Sequence, residues 1–228
     1  MKRFTPVTAG LLAVIAIVFG YEVVTQAYAS DTAMIRLGAI VPGLLERGEY
    51  WRLIAAMFLH GGWLHWFLNS WALYQLGTLY ETLFGSWRFA LVYFVTGLIA
   101  SLASSIHMKT GAAVGASGAI FGVLGAFIFS IRRSPQYRHQ PWTRSLISQL
   151  VFWIVVNIAI GFSFPFIDNT AHIAGLITGL ILGFLPHRVP PPPPREMVID
   201  LPSTSPQNEP QVLRRKDPLI DDFDGPSH

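Results

Sequence analysis

The stretch AVGASGAIFG, residues 113–122, lies in a long apolar region and carries one hydroxyl, that of Ser117, between Gly115 and Gly118. Gly118 and Gly122 are four residues apart, so on a helix they form one small-residue face. In lipid, where no hydrophobic effect drives helices together, such faces let two helix backbones approach closely. The stretch therefore predicts a helix packed inside a membrane, with Ser117 near its beginning.

Composition places the chain among integral membrane proteins. Of its 228 residues, 52% are hydrophobic and 13% are charged, and the mean hydropathy is +0.45. Several apolar runs reach the roughly 17 to 25 residues that a helix needs to cross a bilayer. The chain has no cysteine, which excludes disulfides, thiolate catalysis and thiolate metal sites.

Apolar runs separated by polar breaks predict an all-α membrane protein with six transmembrane helices in one bundle. We place these helices at residues 7–26, 63–82, 87–106, 115–131, 146–164 and 170–186. The segment 30–62 is too long and too apolar for a simple connector, so we predict a structured loop at the outer membrane interface. The transmembrane domain then covers residues 1–186. The Pro-rich remainder, residues 187–228, is predicted to be a disordered cytoplasmic tail, because it lacks the apolar side chains needed to fold.

The distribution of basic residues predicts that both termini are cytoplasmic. In that orientation most Lys and Arg residues lie on the cytoplasmic side, and the opposite side has only Arg36, Arg47, Arg52 and Lys109. A rival interpretation is a secretory signal peptide, since basic residues precede an apolar run and AYAS at 27–30. The run from Val7 to Val24 is long for such a peptide, which favours a retained helix with Glu22 at the outer interface.

Polar side chains lie near the beginnings of three predicted helices that all run inward from the outer side. His65 and Asn69 lie in the second helix, Ser117 in the fourth and His172 in the sixth. Polar groups in hydrocarbon are costly unless they are satisfied, so their meeting at one depth predicts a functional site.

Glycine spacing indicates which helices bring these groups together. In the sixth helix small residues recur every four positions, at Gly175, Gly179 and Gly183. His172 lies one turn before them on the same face. If this face packs in parallel on that of Gly118 and Gly122, His172 comes to lie beside Ser117.

A serine beside a neutral imidazole can attack a carbonyl carbon. The imidazole of His172 would accept the proton of Ser117 and return it to the leaving amine. Asp168 is interpreted first as a charge at a helix N-terminus, so we predict a Ser–His dyad without a third member. Candidate oxyanion donors are the backbone N–H of Ser117 and the side chains of His65 and Asn69, which share one helix face.

Four motifs in order resemble the rhomboid intramembrane serine proteases: YWRLIAAMFLH at 50–60, HGGWLHWFLN at 60–69, GASG at 115–118 and AHIAGLITG at 171–179. The resemblance covers residues 5–186 and implies a six-helix rhomboid bundle with an interfacial first loop. It implies that Ser117 is the nucleophile, that His172 is its base, and that His65 and Asn69 stabilise the oxyanion. The pairs Trp51 with Arg52 and Glu81 with Gly85 match family motifs that are interpreted as structural.

His60, Gly115 and Phe121 are predicted to line the site. Many rhomboids have tyrosine where this chain has Phe121, one turn below Ser117; a phenyl ring can stack on His172 but cannot donate a hydrogen bond. Taken alone, His60 is interpreted as a structural hydrogen-bonding residue. We expect no cofactor and no metal, because zinc would use the histidines as ligands and leave Ser117 without a base.

The resemblance implies an intramembrane serine endopeptidase of a bacterial plasma membrane that cleaves single-pass transmembrane proteins in or near their membrane segment. Its partners are then transmembrane protein substrates and the lipid bilayer, and we expect no nucleic-acid partner. The alternative is a catalytically inactive rhomboid-like protein that binds membrane proteins for quality control. A small transporter or channel is ranked third, because it would need more intramembrane carboxylates or lysines than this chain has.

Overall fold

The computed structural model describes residues 5–164 and 167–185, and their secondary structure is helical. The α-helices are α1 (Pro6–Val24), α2 (Asp31–Leu37), α3 (Arg52–Ala55), α4 (Trp63–Phe84), α5 (Ser86–His107), α6 (Ser117–Arg133), α7 (Pro141–Ser163) and α8 (Asn169–Leu182). These residues contain no strand, only one isolated antiparallel bridge between Ile40 and Ala113. The predicted all-α class is confirmed. The predicted tail at 187–228 lies outside the described residues, and the domain boundary at 186 stays a prediction.

All six predicted helices are present, with ends that differ from the prediction by up to five residues. α7 begins at Pro141 rather than at 146, because proline in the first helical turn lacks only an N–H that has no intrahelical partner there. α6 begins at Ser117 rather than at 115, because Gly115 has a φ of +121° and lies outside the helix.

In the part of the chain that the structure describes, three helices, α1, α5 and α7, are long and apolar enough to cross a membrane by length and composition. α4 has 22 residues but contains His65, Asn69 and Glu81, which lower its hydropathy. α6 has 17 residues and α8 has 14. The chain is thus a membrane protein with a helical bundle, and the count of six spans stays a prediction.

α6 is the central helix of the bundle and packs against α4, α5 and α8. The small-residue faces of α6 and α8 meet in parallel, so that a Cβ added to Gly175 would strike the carbonyl oxygen of Gly118. One turn further along, a Cβ on Gly179 would strike the carbonyl oxygen of Gly122. The backbones of α6 and α8 are therefore in direct contact at these glycines, as the glycine spacing predicted.

The predicted structured loop is ordered around one buried guanidinium. Arg52 donates hydrogen bonds to the backbone carbonyl oxygens of Ile35 and Ala39 and forms an ion pair with Glu49 at 2.6 Å. The guanidinium also lies 4.7 Å from the ring centroid of Trp51. These contacts satisfy a buried cation and tie α2 to α3, which supports the structural interpretation of the Trp-Arg pair.

A carboxylate of α4 caps α1. Glu81 accepts hydrogen bonds from the backbone N–H groups of Val7 at 3.0 Å and Thr8 at 2.8 Å, and from the Thr8 hydroxyl at 2.7 Å. The first N–H groups of a helix have no intrahelical partner, and the helix dipole favours a negative charge beside them. Glu81 therefore fixes the beginning of α1 on α4.

Candidate active site

Ser117 and His172 lie side by side at the beginnings of α6 and α8. The Oγ of Ser117 is 2.9 Å from the Nε2 of His172, which is hydrogen-bonding distance. His172 is buried with 6% of its surface exposed, and Ser117 is half-buried. Their proximity follows from the parallel packing of the two glycine faces, which brings the first turns of both helices level. The structure thus brings together the residues predicted as nucleophile and base.

The imidazole of His172 is held by a ring rather than by a carboxylate. Phe121 stacks on it with a centroid distance of 4.2 Å and an interplanar angle of 6°, as predicted. The Nδ1 of His172 is buried and has no hydrogen-bond partner among the described residues. Asp168 is the N-cap of α8, where its carboxylate accepts from the backbone N–H of Ala171 at 3.0 Å. This agrees with its interpretation as a charge at a helix N-terminus.

Two polar side chains of α4 face the turn that precedes Ser117. A Cβ added to Gly115 would lie 2.7 Å from both the Cε1 and the Nε2 of His65, and 3.9 Å from the Nδ2 of Asn69. The Nδ2 of Asn69 also donates to the backbone oxygen of His65 at 3.0 Å. Glycine at 115 is required here, because any side chain would displace the imidazole and because φ is positive.

His60 lies beside His65, with a ring-centroid distance of 5.2 Å. It is fully buried, and its Nδ1 is 3.2 Å from the backbone oxygen of Phe58. Burial lowers the pKa of His60 to about 3, so the ring is neutral at physiological pH. These contacts are those of a structural residue behind His65, in line with the interpretation of His60 taken alone.

The sequence pattern did not indicate the role of Glu22, and its expected position at the outer membrane interface stays a prediction. Glu22 is fully buried, and its two carboxylate oxygens accept from the backbone N–H of His60 at 3.2 and 3.3 Å. The place of an acidic residue at the end of an apolar run indicates how deep in the membrane it lies, but not whether its side chain faces the bundle or the lipid. In the structure it faces the bundle, where it ties the end of α1 to His60, three residues before α4.

The site therefore has the hydroxyl of Ser117 at hydrogen-bonding distance from the imidazole of His172. The side chains of His65 and Asn69 lie at the adjacent turn. The backbone N–H of Ser117 belongs to the first turn of α6, where N–H groups have no intrahelical partner and favour negative charge. Within residues 5–164 and 167–185, no three His, Asp or Glu side chains are grouped as metal ligands. A nucleophile, a base and nearby N–H donors are the groups that acyl transfer needs.

Comparison with known proteins identifies relatives over most of the described chain. A family profile described as a rhomboid domain matches residues 47–189. RHOMBOID-like protein 5 of Arabidopsis thaliana is 39% identical over 152 residues, which cover 66% of this chain and 48% of that protein. Rhomboid protease GluP of Bacillus subtilis is 37% identical over 146 residues, covering 64% of this chain and 28% of that protein. Inactive RHOMBOID-like protein 8 of Arabidopsis thaliana is 33% identical over 135 residues, covering 59% and 38%.

The chain spans about half the length, or less, of these curated relatives. One of them is named a protease and one is named inactive, so relatedness by itself leaves the activity open. The matched domain contains all the predicted site residues, and it covers more than half of the chain. The family predicted from the motifs is thus confirmed: this chain belongs to the rhomboid family.

Proposed function

We propose that this protein is an intramembrane serine endopeptidase that cleaves single-pass transmembrane proteins in or near their membrane segment. The observation that carries the proposal is the 2.9 Å contact between the Oγ of Ser117 and the Nε2 of His172. The similarity to Rhomboid protease GluP of Bacillus subtilis supports it.

The proposed reaction begins when the Oγ of Ser117 attacks the carbonyl carbon of the substrate peptide bond. The Nε2 of His172 accepts the serine proton, and the carbonyl oxygen becomes an oxyanion. The tetrahedral intermediate collapses as the imidazolium gives its proton to the leaving amine, and the substrate carbonyl stays bonded to Ser117 as an ester. His172 then takes a proton from water, the hydroxide attacks the ester, and the acid leaves as Ser117 regains its proton.

The oxyanion is assigned to donors beside Ser117. The backbone N–H of Ser117 and the side chains of His65 and Asn69 are the donors, and Gly115 leaves the space in which they meet. Such donors act where charge develops, so they lower the barrier without tightening substrate binding. Phe121 keeps the His172 ring in the plane that points its Nε2 at Ser117.

Asn69→Ala is expected to lower kcat by about 10²–10³-fold with little change in KM, because it removes a donor used mainly in the transition state. The measurement is steady-state cleavage of a single-pass substrate in liposomes. The matched control is Asn157→Ala in α7, whose Nδ2 donates to the backbone oxygen of Trp153 at 2.8 Å, four residues earlier, as Asn69 does to His65. Equal kcat losses in the two variants would contradict the oxyanion role.

The proposal includes six spans, formed by α1, α4, α5, α6, α7 and α8. Both termini are placed in the cytoplasm and the Ser117 end of α6 on the outer side of a bacterial plasma membrane; the asymmetry of Lys and Arg supports this orientation. Substrates would be transmembrane helices that unwind locally, because the carbonyl of a helical peptide bond is already hydrogen-bonded and shielded.

A second candidate is a non-catalytic rhomboid-like protein that binds other membrane proteins. The similarity to Inactive RHOMBOID-like protein 8 of Arabidopsis thaliana favours it. The dyad geometry favours the protease, since a binding protein does not need a serine hydroxyl hydrogen-bonded to a buried imidazole.

Chemical labelling separates the two candidates. One sample of the wild-type protein in liposomes is treated with a fluorophosphonate, and its peptides are mapped by mass spectrometry. The labelled sample and an unlabelled sample are then both given a single-pass substrate. We expect an adduct on Ser117 and loss of cleavage in the labelled sample. Absence of both the adduct and cleavage across several substrates would overturn the protease and leave the binding protein.

A further inference from the structure

The first turn of α8, which carries His172, is anchored by Asp168. One carboxylate oxygen accepts from the backbone N–H of Ala171 at 3.0 Å, and the backbone oxygen of Asp168 accepts from the N–H of His172 at 3.2 Å. The other carboxylate oxygen accepts from the hydroxyl of Ser104 in α5. Both carboxylate oxygens are therefore occupied, and the side chain joins two helices.

Ser104 is a fixed anchor point. It is buried with 2% of its surface exposed, in the last turn of a 22-residue helix that packs against both α6 and α8. A bond to such a residue restrains the beginning of α8 more than a cap exposed to solvent would.

The anchored segment lies directly against the turn of the nucleophile. A Cβ added to Gly118, the residue after Ser117, would lie 3.5 Å from the backbone oxygen and 3.6 Å from the Cβ of Ala171. Ala171 is the residue whose N–H Asp168 binds, and His172 follows it. A shift of this turn would therefore change the distance between His172 and Ser117.

Among the described residues, no hydrogen bond holds the imidazole at its second ring nitrogen. In Ser-His-Asp hydrolases a carboxylate bound to the second ring nitrogen holds the base in position. Here the Nδ1 of His172 has no partner among the described residues, and the ring contact comes from Phe121. Phe121 sets the plane of the ring, and the distance from the Nε2 to Ser117 then depends on where the backbone of α8 begins.

We infer that Asp168 and Ser104 form a positioning pair, which holds the first turn of α8 so that the Nε2 of His172 stays at hydrogen-bonding distance from Ser117. The hydrogen bonds of the pair go to the helix backbone and not to the imidazole, and the inference rests on the proposed protease function. It assigns the orienting role of a carboxylate without adding a third member to the dyad.

The test uses the full chain in liposomes with a single-pass substrate. Asp168→Ala is expected to lower kcat by roughly tenfold to a hundredfold, because a misplacement of about 1 Å is enough for such a loss. KM should change little, because the pair touches no substrate. Asp168→Asn should recover most of kcat, since its amide oxygen can accept from Ala171 and its NH₂ can donate to the Ser104 oxygen.

Non-additivity identifies the pair. Ser104→Ala should lower kcat less than Asp168→Ala does, and the double variant should be no slower than Asp168→Ala alone, because both substitutions remove the same bond. Ser30→Ala is the matched control: Ser30 caps α2 through the N–H of Ala33 at 3.3 Å, on a helix that carries no site residue. It should lower the melting temperature without changing kcat.

Each result has a definite meaning. If the wild type cleaves and Asp168→Ala cleaves equally fast, the positioning pair is wrong and the protease stands. If Asp168→Asn is as slow as Asp168→Ala, the carboxylate acts through its charge and the inference is overturned. If the kcat losses of Asp168→Ala and Ser104→Ala multiply in the double variant, the two residues act separately and the positioning pair is again wrong. If the wild type itself neither cleaves nor takes the fluorophosphonate, the proposed function fails, and this inference fails with it.

Discussion

Ser117→Ala is expected to reduce cleavage of a single-pass substrate to background, and His172→Ala to lower kcat by about 10⁴-fold or more. The first variant has no atom that can attack the carbonyl. The second leaves a hydroxyl without the base that lies 2.9 Å away in the wild type. The measurement is cleavage in liposomes by proteins purified in parallel, with melting curves to show that each variant is folded.

The double variant adds a stricter condition. Because the two side chains act as one unit, Ser117→Ala with His172→Ala should be no slower than Ser117→Ala alone. Ser145→Ala, an exposed serine in the first turns of α7, should cleave like the wild type. Cleavage that persisted in Ser117→Ala would remove the nucleophile assignment, whatever the other variants did.

Gly179→Ala is expected to destabilise the fold by at least about 3 kcal/mol, the upper part of the range for overpacked cores. The added Cβ would strike the carbonyl oxygen of Gly122, and a backbone atom cannot rotate away as a side chain can. α6 and α8 would have to separate, and the beginnings of both helices, with Ser117 and His172, would separate with them. The free energy of unfolding in detergent, from denaturant titration, measures the effect.

The control is the same substitution at a glycine with free space. Gly20 lies in α1, and a Cβ added there has no atom within 4 Å. Gly20→Ala should be neutral or stabilise the protein by up to about 1 kcal/mol, because alanine favours a helix over glycine. Equal losses at Gly20 and Gly179 would show that the backbone contact between α6 and α8 is not what holds these helices together.

The part of the site that follows from helix periodicity was predictable from sequence. Repeats of four residues put the glycines of α6 on one face and those of α8, with His172, on another. The meeting of Ser117 and His172 was predicted on the condition that these faces pack in parallel. The same periodicity put His65 and Asn69 on one face of α4. A regular helix converts spacing into direction, so the residues that share a face could be identified within each helix alone.

What sequence did not predict depends on contacts between segments far apart in the chain. Ser104 is one of several serines near the end of α5, and no pattern distinguishes the one that meets Asp168, 64 positions away. Sequence did not predict that Glu22 faces the inside of the bundle, because its partner is a backbone N–H rather than a charged side chain. Almost every residue has a backbone N–H, so the sequence does not indicate which one a carboxylate binds.

The two carboxylates on either end of α1 have a mechanical consequence. Glu81 of α4 binds the first turn of this helix, and Glu22, near its other end, binds the backbone N–H of His60, three residues before α4. A helix held at one end can tilt about that point, whereas a helix held at both ends cannot tilt or rotate without breaking one of the two sets of hydrogen bonds. We therefore expect α1 and α4 to move together. If the proposed function is right and the bundle opens for a transmembrane substrate, we expect the opening to lie between other helices.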